Sequence, residues 1–104
     1  MPDGERINFF RKTLRKRINE ARRRCNPHIG TRLLQMIAEY GELEAVKRLM
    51  HDNIIQSGLT ELWECKCLDL SVEKLVIEFS ELFTPAEVKS ARQRLEELGY
   101  HMGD

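Results

Sequence analysis

Apolar residues recur along this chain at helical spacing and almost nowhere at the alternation of a strand. Over about Glu5 to Cys25, Ile7, Phe10, Leu14, Ile18, Ala21 and Cys25 follow one another at steps of three and four, which lines them up on one face of an α-helix. Asp3 stands before this run as an N-cap. Asn26-Pro27 then breaks the helix, because the residue before proline is pushed out of the helical region and proline suits the first turn of the next helix. A second helix is expected from about Pro27 to Tyr40, with Ile29, Leu33, Met36, Ile37 and Tyr40 inward and Gly41 at its end. A third runs from about Glu42 to His51, burying Leu43, Val46, Leu49 and Met50.

The stretch His51 to Gly58 carries Asn, Ser and Gly and reads as a loop. Leu59 to about Lys66 lacks alternation and is expected to be a short helix, followed by a connector at Leu68-Asp69-Leu70. Ser71 caps a helix from Val72 to about Phe79, although Val72, Val76 and Ile77 also favour a strand. The last element has the clearest start. Thr84-Pro85-Ala86-Glu87 combines a capping hydroxyl, a proline at the first helical position and a glutamate three residues after the cap. Val88, Ala91, Leu95 and Leu98 form its inner stripe, and Gly99 ends it.

The expected architecture is therefore all-α, a compact bundle of about five to six short helices with a long basic N-terminal helix. At 104 residues it is a single domain over 1–104, with the amphipathic basic helix at 1–25 and a helical body at 27–100. Trp63, Leu59, Leu62, Phe79, Leu82 and Phe83 are expected in the core, since a domain this small needs its aromatics to bury surface. If two copies pair, the Ile7 to Cys25 stripe is the natural homodimer seam.

Composition first suggests a featureless balance. Apolar residues make up 41% and charged residues 33%, enough to fold and too mixed for a disordered tail, and 17 basic residues face 17 acidic ones. Their distribution changes that picture. Residues 1–24 hold nine basic and three acidic residues, a charge of +6, and the other 80 residues hold −6. No window approaches 18 uninterrupted apolar residues, and the Met-Pro-Asp-Gly-Glu-Arg start lacks the apolar region of a secretory signal, so a cytoplasmic protein is expected. Three cysteines, Cys25, Cys65 and Cys67, form no disulfide framework, and reduced thiols are the default.

The segments Gly41–Leu49, Ser57–Glu64, Leu68–Glu73, Leu82–Thr84, Ala91–Leu95 and Gly99-Tyr100 together resemble a small helical domain that recurs in uncharacterised bacterial proteins. The resemblance covers about residues 30–100. It implies a bacterial or phage-type globular domain and brings no activity or catalytic residues with it.

The arginine-rich first helix lies outside that resemblance and carries the chemistry. Arg11, Lys12, Arg15, Lys16, Arg22 and Arg23 build a basic stripe that fits closely spaced phosphates, so nucleic acid bound without sequence specificity is the leading expectation. The competing reading is a protein-interaction module, such as a phage-encoded inhibitor or a subunit of a bacterial defence complex, docking this face on an acidic protein surface. The chain's own acidic body, or plain solvation, would also satisfy the charge. Phe9 and Phe10 are the only aromatics among the arginines, thin support for base stacking.

Weaker patterns stand beside these. Helices around Gly41 have the outline of a helix-turn-helix, but Glu42 and Glu44 stand where a recognition helix would meet DNA. Cys25, His28, Cys65 and Cys67 form a four-ligand zinc candidate, although Cys25 also continues the apolar stripe. His51 and His101 read as exposed polar residues, and the pairs Glu61/Glu64 and Glu78/Glu81 as solvent-facing carboxylates. No nucleophile, phosphate-cradling or metalloprotease motif is present. The expectation is a non-enzymatic binding protein with no cofactor.

Overall fold

A computed structural model describes residues 4–52 and 57–100. Six α-helices follow in order: α1 (Gly4–Arg24), α2 (Thr31–Tyr40), α3 (Glu42–Met50), α4 (Ser57–Glu64), α5 (Val72–Glu78) and α6 (Pro85–Glu97), with 3-10 turns at Leu68–Leu70 and Ser80–Leu82. No strand occurs among the described residues. The N-cap expected at Asp3 lies outside the described residues, as does His101.

Helix α1 is the spine of the fold. Its 21 residues rise about 31 Å, close to the longest dimension of the 36 × 29 × 25 Å molecule. Phe10, Leu14 and Ile18 are buried in a core shared with α2, α3, α5 and α6, and Ala21 enters an adjoining cluster with Ile29, Leu59, Leu62, Leu68 and Leu95. Phe10 sits edge-on to Phe79 and Phe83, at 5.4 and 5.7 Å between ring centroids, a favourable aromatic geometry. The apolar stripe proposed as a homodimer seam is thus consumed inside one chain. A dimer would have to use another face.

The break after α1 is longer than Pro27 alone implies. Asn26 turns its side-chain oxygen to the His28 amide at 2.8 Å, and Gly30 takes a left-handed conformation at φ +79°, so α2 starts at Thr31 rather than near Pro27. A side chain at Gly30 would be strained in that conformation, and its Cβ would come within 3.4 Å of Ile18. Between α2 and α3 the chain turns on a single residue, Gly41, at φ +86°.

Local capping is satisfied as expected in the second half. The Lys74 amide donates to Ser71 Oγ at the start of α5, which settles Val72 to Glu78 as helix despite the β-branched residues. At α6, Thr84 and Glu87 exchange both hydrogen bonds of the capping box, and Gly99 follows its end at φ +78°. Helix α4 spans Ser57–Glu64, earlier than the Leu59 to Lys66 reading, because the backbone turns at Lys66 through φ +60°.

Trp63 is not a core residue: it is 49% exposed, while Leu59 and Leu62 on the same helix are buried. Trp63 lies one residue from Leu62, about 100° around the helix, so burying Leu59 and Leu62 turns the indole outward. The thiols are not all reduced either. Cys25 and Cys65 form a disulfide with 5.7 Å between Cα atoms, tying the end of α1 to the end of α4, and Cys67 alone is free and buried. Asn26 Nδ2 donates to the Glu61 carboxylate at 2.8 Å beside it.

Candidate nucleic-acid interface

At about 100° per residue, α1 divides into four rows, and each row has a different fate. The inward row is Phe10, Leu14, Ile18 and Ala21, all buried. On one flank Arg6 pairs with Glu81, and its guanidinium lies 4.0 Å over the Phe79 ring, while Arg17 Nη2 donates to Glu78 at 2.6 Å. On the other flank Arg15 Nε donates to Glu42 at 2.7 Å, with Arg11 at 3.7 Å from the same carboxylate. Further along that flank, Arg22 Nε donates to the Ile29 carbonyl at 2.8 Å.

The outward row runs Glu5, Phe9, Lys12, Lys16, Asn19 and Arg23 at steps of four and three. Lys12 and Lys16 are exposed and make no ion pair or hydrogen bond with the described residues. Arg23 is exposed and reaches only Glu20 of its own helix, which Arg24 also approaches at 4.0 Å.

The arginines of α1 also lower the flanking carboxyls that they pair with. Burial works to raise Glu42, yet the hydrogen bond from Arg15 and the charges of Arg15 and Arg11 outweigh it and hold the carboxyl below its ordinary 4.5. Burial likewise works against Glu78, and Arg17 and Lys74 together bring it below 4.5. At Glu81 the Arg6 hydrogen bond lowers the carboxyl directly.

Of the six residues expected to meet phosphate, the structure therefore brings Lys12, Lys16 and Arg23 onto one open row. Arg11 and Arg15 share one carboxylate and remain 52% and 56% exposed, so one positive charge stays in surplus between them. Arg22 turns inward onto the chain. The body's acidic residues were visible in the sequence as a net charge of −6 and as single glutamates, but not as partners of particular arginines. Their pairing depends on which helices meet, which no local signal reports.

Several other patterns resolve. Glu78 and Glu81 are exposed, as expected of them, and in addition both receive arginines from α1, while Glu61 receives Asn26. The disulfide removes Cys25 and Cys65 from any thiolate set, because a bridged sulfur has no charge to give a metal, so the zinc arrangement with His28 and Cys67 is not formed. Helix α3 packs against α1, α2, α5 and α6 and buries Ala45, Val46, Leu49 and Met50, with Glu44 and Arg48 on its exposed face.

Elsewhere, buried charges serve the fold. Glu87 accepts from the Thr84 amide, Lys47 and His51. Glu73 accepts from Arg94, whose other nitrogen caps the Leu49 and Asp52 carbonyls at the end of α3. Burial raises the Glu73 carboxyl despite its own backbone hydrogen bond and Arg94. Glu73 also borders a cavity of about 580 Å³ with apolar walls of Ile18, Leu33 and Leu62 and polar ones of His28, Arg32 and Glu61.

Comparison of the chain with protein-family models, curated proteins and solved structures gave no match. No helix of the described residues is long and apolar enough to cross a membrane.

Proposed function

We propose that this is a small non-enzymatic binding protein whose N-terminal helix contacts nucleic acid phosphates without reading sequence. The observation that carries the proposal is the open row of Lys12, Lys16 and Arg23. Five arginines of the same helix are bonded to the body, so the fold spends its own acids on the flanks and leaves the outward cations uncovered. Lysine and arginine so placed displace counterions from a phosphate backbone, and each phosphate contact adds roughly 0.9 to the salt slope on B-DNA. Arg11 and Arg15 extend the row sideways, and Arg22 is left out of it.

The test is a titration of labelled duplex and single-stranded oligonucleotides at low and moderate salt. The triple variant Lys12→Gln, Lys16→Gln, Arg23→Gln is expected to bind more weakly and to lower the salt slope by about 2 to 3. Absence of any binding at low salt overturns the proposal. It would favour a protein-interaction module, in which the half-exposed Trp63 would also find a use, in the manner of a phage-encoded inhibitor or a defence-complex subunit on an acidic partner.

A cytoplasmic location belongs to this proposal. A reducing cytosol opposes the Cys25–Cys65 bridge, so alkylation of freshly extracted, denatured protein is the check. Three reactive cysteines fit the cytoplasm, whereas Cys67 alone fits an oxidising compartment.

A further inference from the structure

The two adjacent phenylalanines of α1 part company in the fold. Phe10 is fully buried, and Phe9 is 56% exposed. Single exposed apolar residues are ordinary on protein surfaces, so exposure alone says little. Position says more. Phe9 stands in the outward row one turn before Lys12 and two before Lys16, and the row from Phe9 to Arg23 is about 21 Å long.

The ring is also braced. It lies 5.6 Å from the ring of Phe79 at an interplanar angle of 49°, and Phe79 is itself buried. The Arg6 guanidinium sits 5.9 Å from the Phe9 centroid and is held by Glu81. A half-exposed aromatic ring packed on a buried neighbour, at the head of a row that carries the unpartnered Lys12 and Lys16, is the arrangement that holds a strand by its phosphates and stacks one of its bases.

We infer that the ligand of this face is single-stranded nucleic acid, with the Phe9 ring as the stacking platform and Lys12 and Lys16 as the phosphate contacts. The inference rests on the phosphate-binding role proposed above and narrows it to one substrate class. A regular duplex keeps its base faces inside the stack, so it can use the lysines but not the ring. A single strand can use both, and any base has a face to offer, which keeps the site indifferent to sequence.

Fluorescence anisotropy with three labelled probes tests this: oligothymidine, a strand of equal length with abasic sugars, and a duplex of equal length. The unmodified protein is expected to bind oligothymidine about tenfold more tightly than the abasic strand, the size of one base–aromatic stack. Phe9→Ala should erase that difference and leave the abasic and duplex affinities and the salt slope unchanged. Phe9→Trp should preserve it. Thermal melting of both variants at the unmodified midpoint shows that the ring, and not folding, is being read. Equal binding of oligothymidine and abasic strand overturns the stacking inference while leaving the phosphate reading in place, and so does an equal loss on all three probes in Phe9→Ala. Absence of binding to every probe overturns the phosphate reading beneath it.

Discussion

The arginines on the flanks of α1 and the lysines on its outer face carry the same charge on the same helix and are put to different use. Arg6, Arg11, Arg15, Arg17 and Arg22 each reach a fixed acceptor on the body, whereas Lys12 and Lys16 reach none among the described residues. The side chains suit these places. A guanidinium presents a rigid fork to a carboxylate or carbonyl and is weakly hydrated, so it can be pinned at a packing seam, while an ammonium is a strongly hydrated point charge that fits an open face. A helix of net positive charge thus docks against an acidic body with its flanks and still presents cations outward.

The largest effect that would break this arrangement comes from the inward row. Phe10→Ala should lower stability by about 3–5 kcal/mol in urea denaturation, while Phe9→Ala one residue away should change it by about 0.5 kcal/mol or less. Similar losses for the two would mean that α1 is rotated from the position described. Next in size is the bridge at the end of α1. Closing a separation of 40 residues stabilises by about 4 kcal/mol in the chain-entropy account, so Cys25→Ser should lower the urea midpoint by a corresponding amount, and a reducing agent should do the same to the unmodified protein and nothing to the variant.

The flanks respond to acid. Glu42, Glu78 and Glu81 have carboxyls lowered below 4.5, so the stability they give is present in full above the unfolded value and is lost as pH falls through the folded one. Glu73, raised by burial, runs the opposite way, favouring the folded state at low pH and giving that up as pH rises. With three lowered groups on the α1 seam and a fourth, Glu87, elsewhere against the one raised group, stability should decline below about pH 4.5, and the decline should be shallower in Glu42→Gln.

That same variant sharpens the contrast between flank and face. Glu42→Gln should cost about 1 kcal/mol or less, the worth of exposed pairs, and should strengthen nucleic-acid binding by releasing Arg11 and Arg15. The smallest effect is expected for Lys12→Gln with Lys16→Gln, a stability change within about 0.5 kcal/mol beside a clear loss of binding. A large stability loss there would mean that the lysines serve the fold.

How much of this was readable beforehand follows from the range of the interactions involved. The α1 stripe and the capping hydroxyls of Ser71 and Thr84 act within a turn or two of chain, and periodicity and residue type report them directly. The Cys25–Cys65 bridge, the outward turn of Trp63 and the arginine–carboxylate seams depend on which helices become neighbours. Trp63 illustrates the limit. Its size argues for burial, but Leu59 and Leu62 already commit the inward face of a short helix, and one helix cannot bury every side. For the candidate interface, composition located the basic segment, and only the packing separated its spoken-for arginines from its open cations.

The bridge between Cys25 and Cys65 also encloses residues 26–64 in a covalent ring. A protease that cuts once anywhere inside that ring leaves a nicked molecule whose basic segment is still tethered to the remainder. Such a product would migrate as one species on a non-reducing gel and as two after reduction. Damage within the ring therefore does not by itself shed α1, and the oxidised protein could keep its charged face attached after a nick that would divide the reduced one.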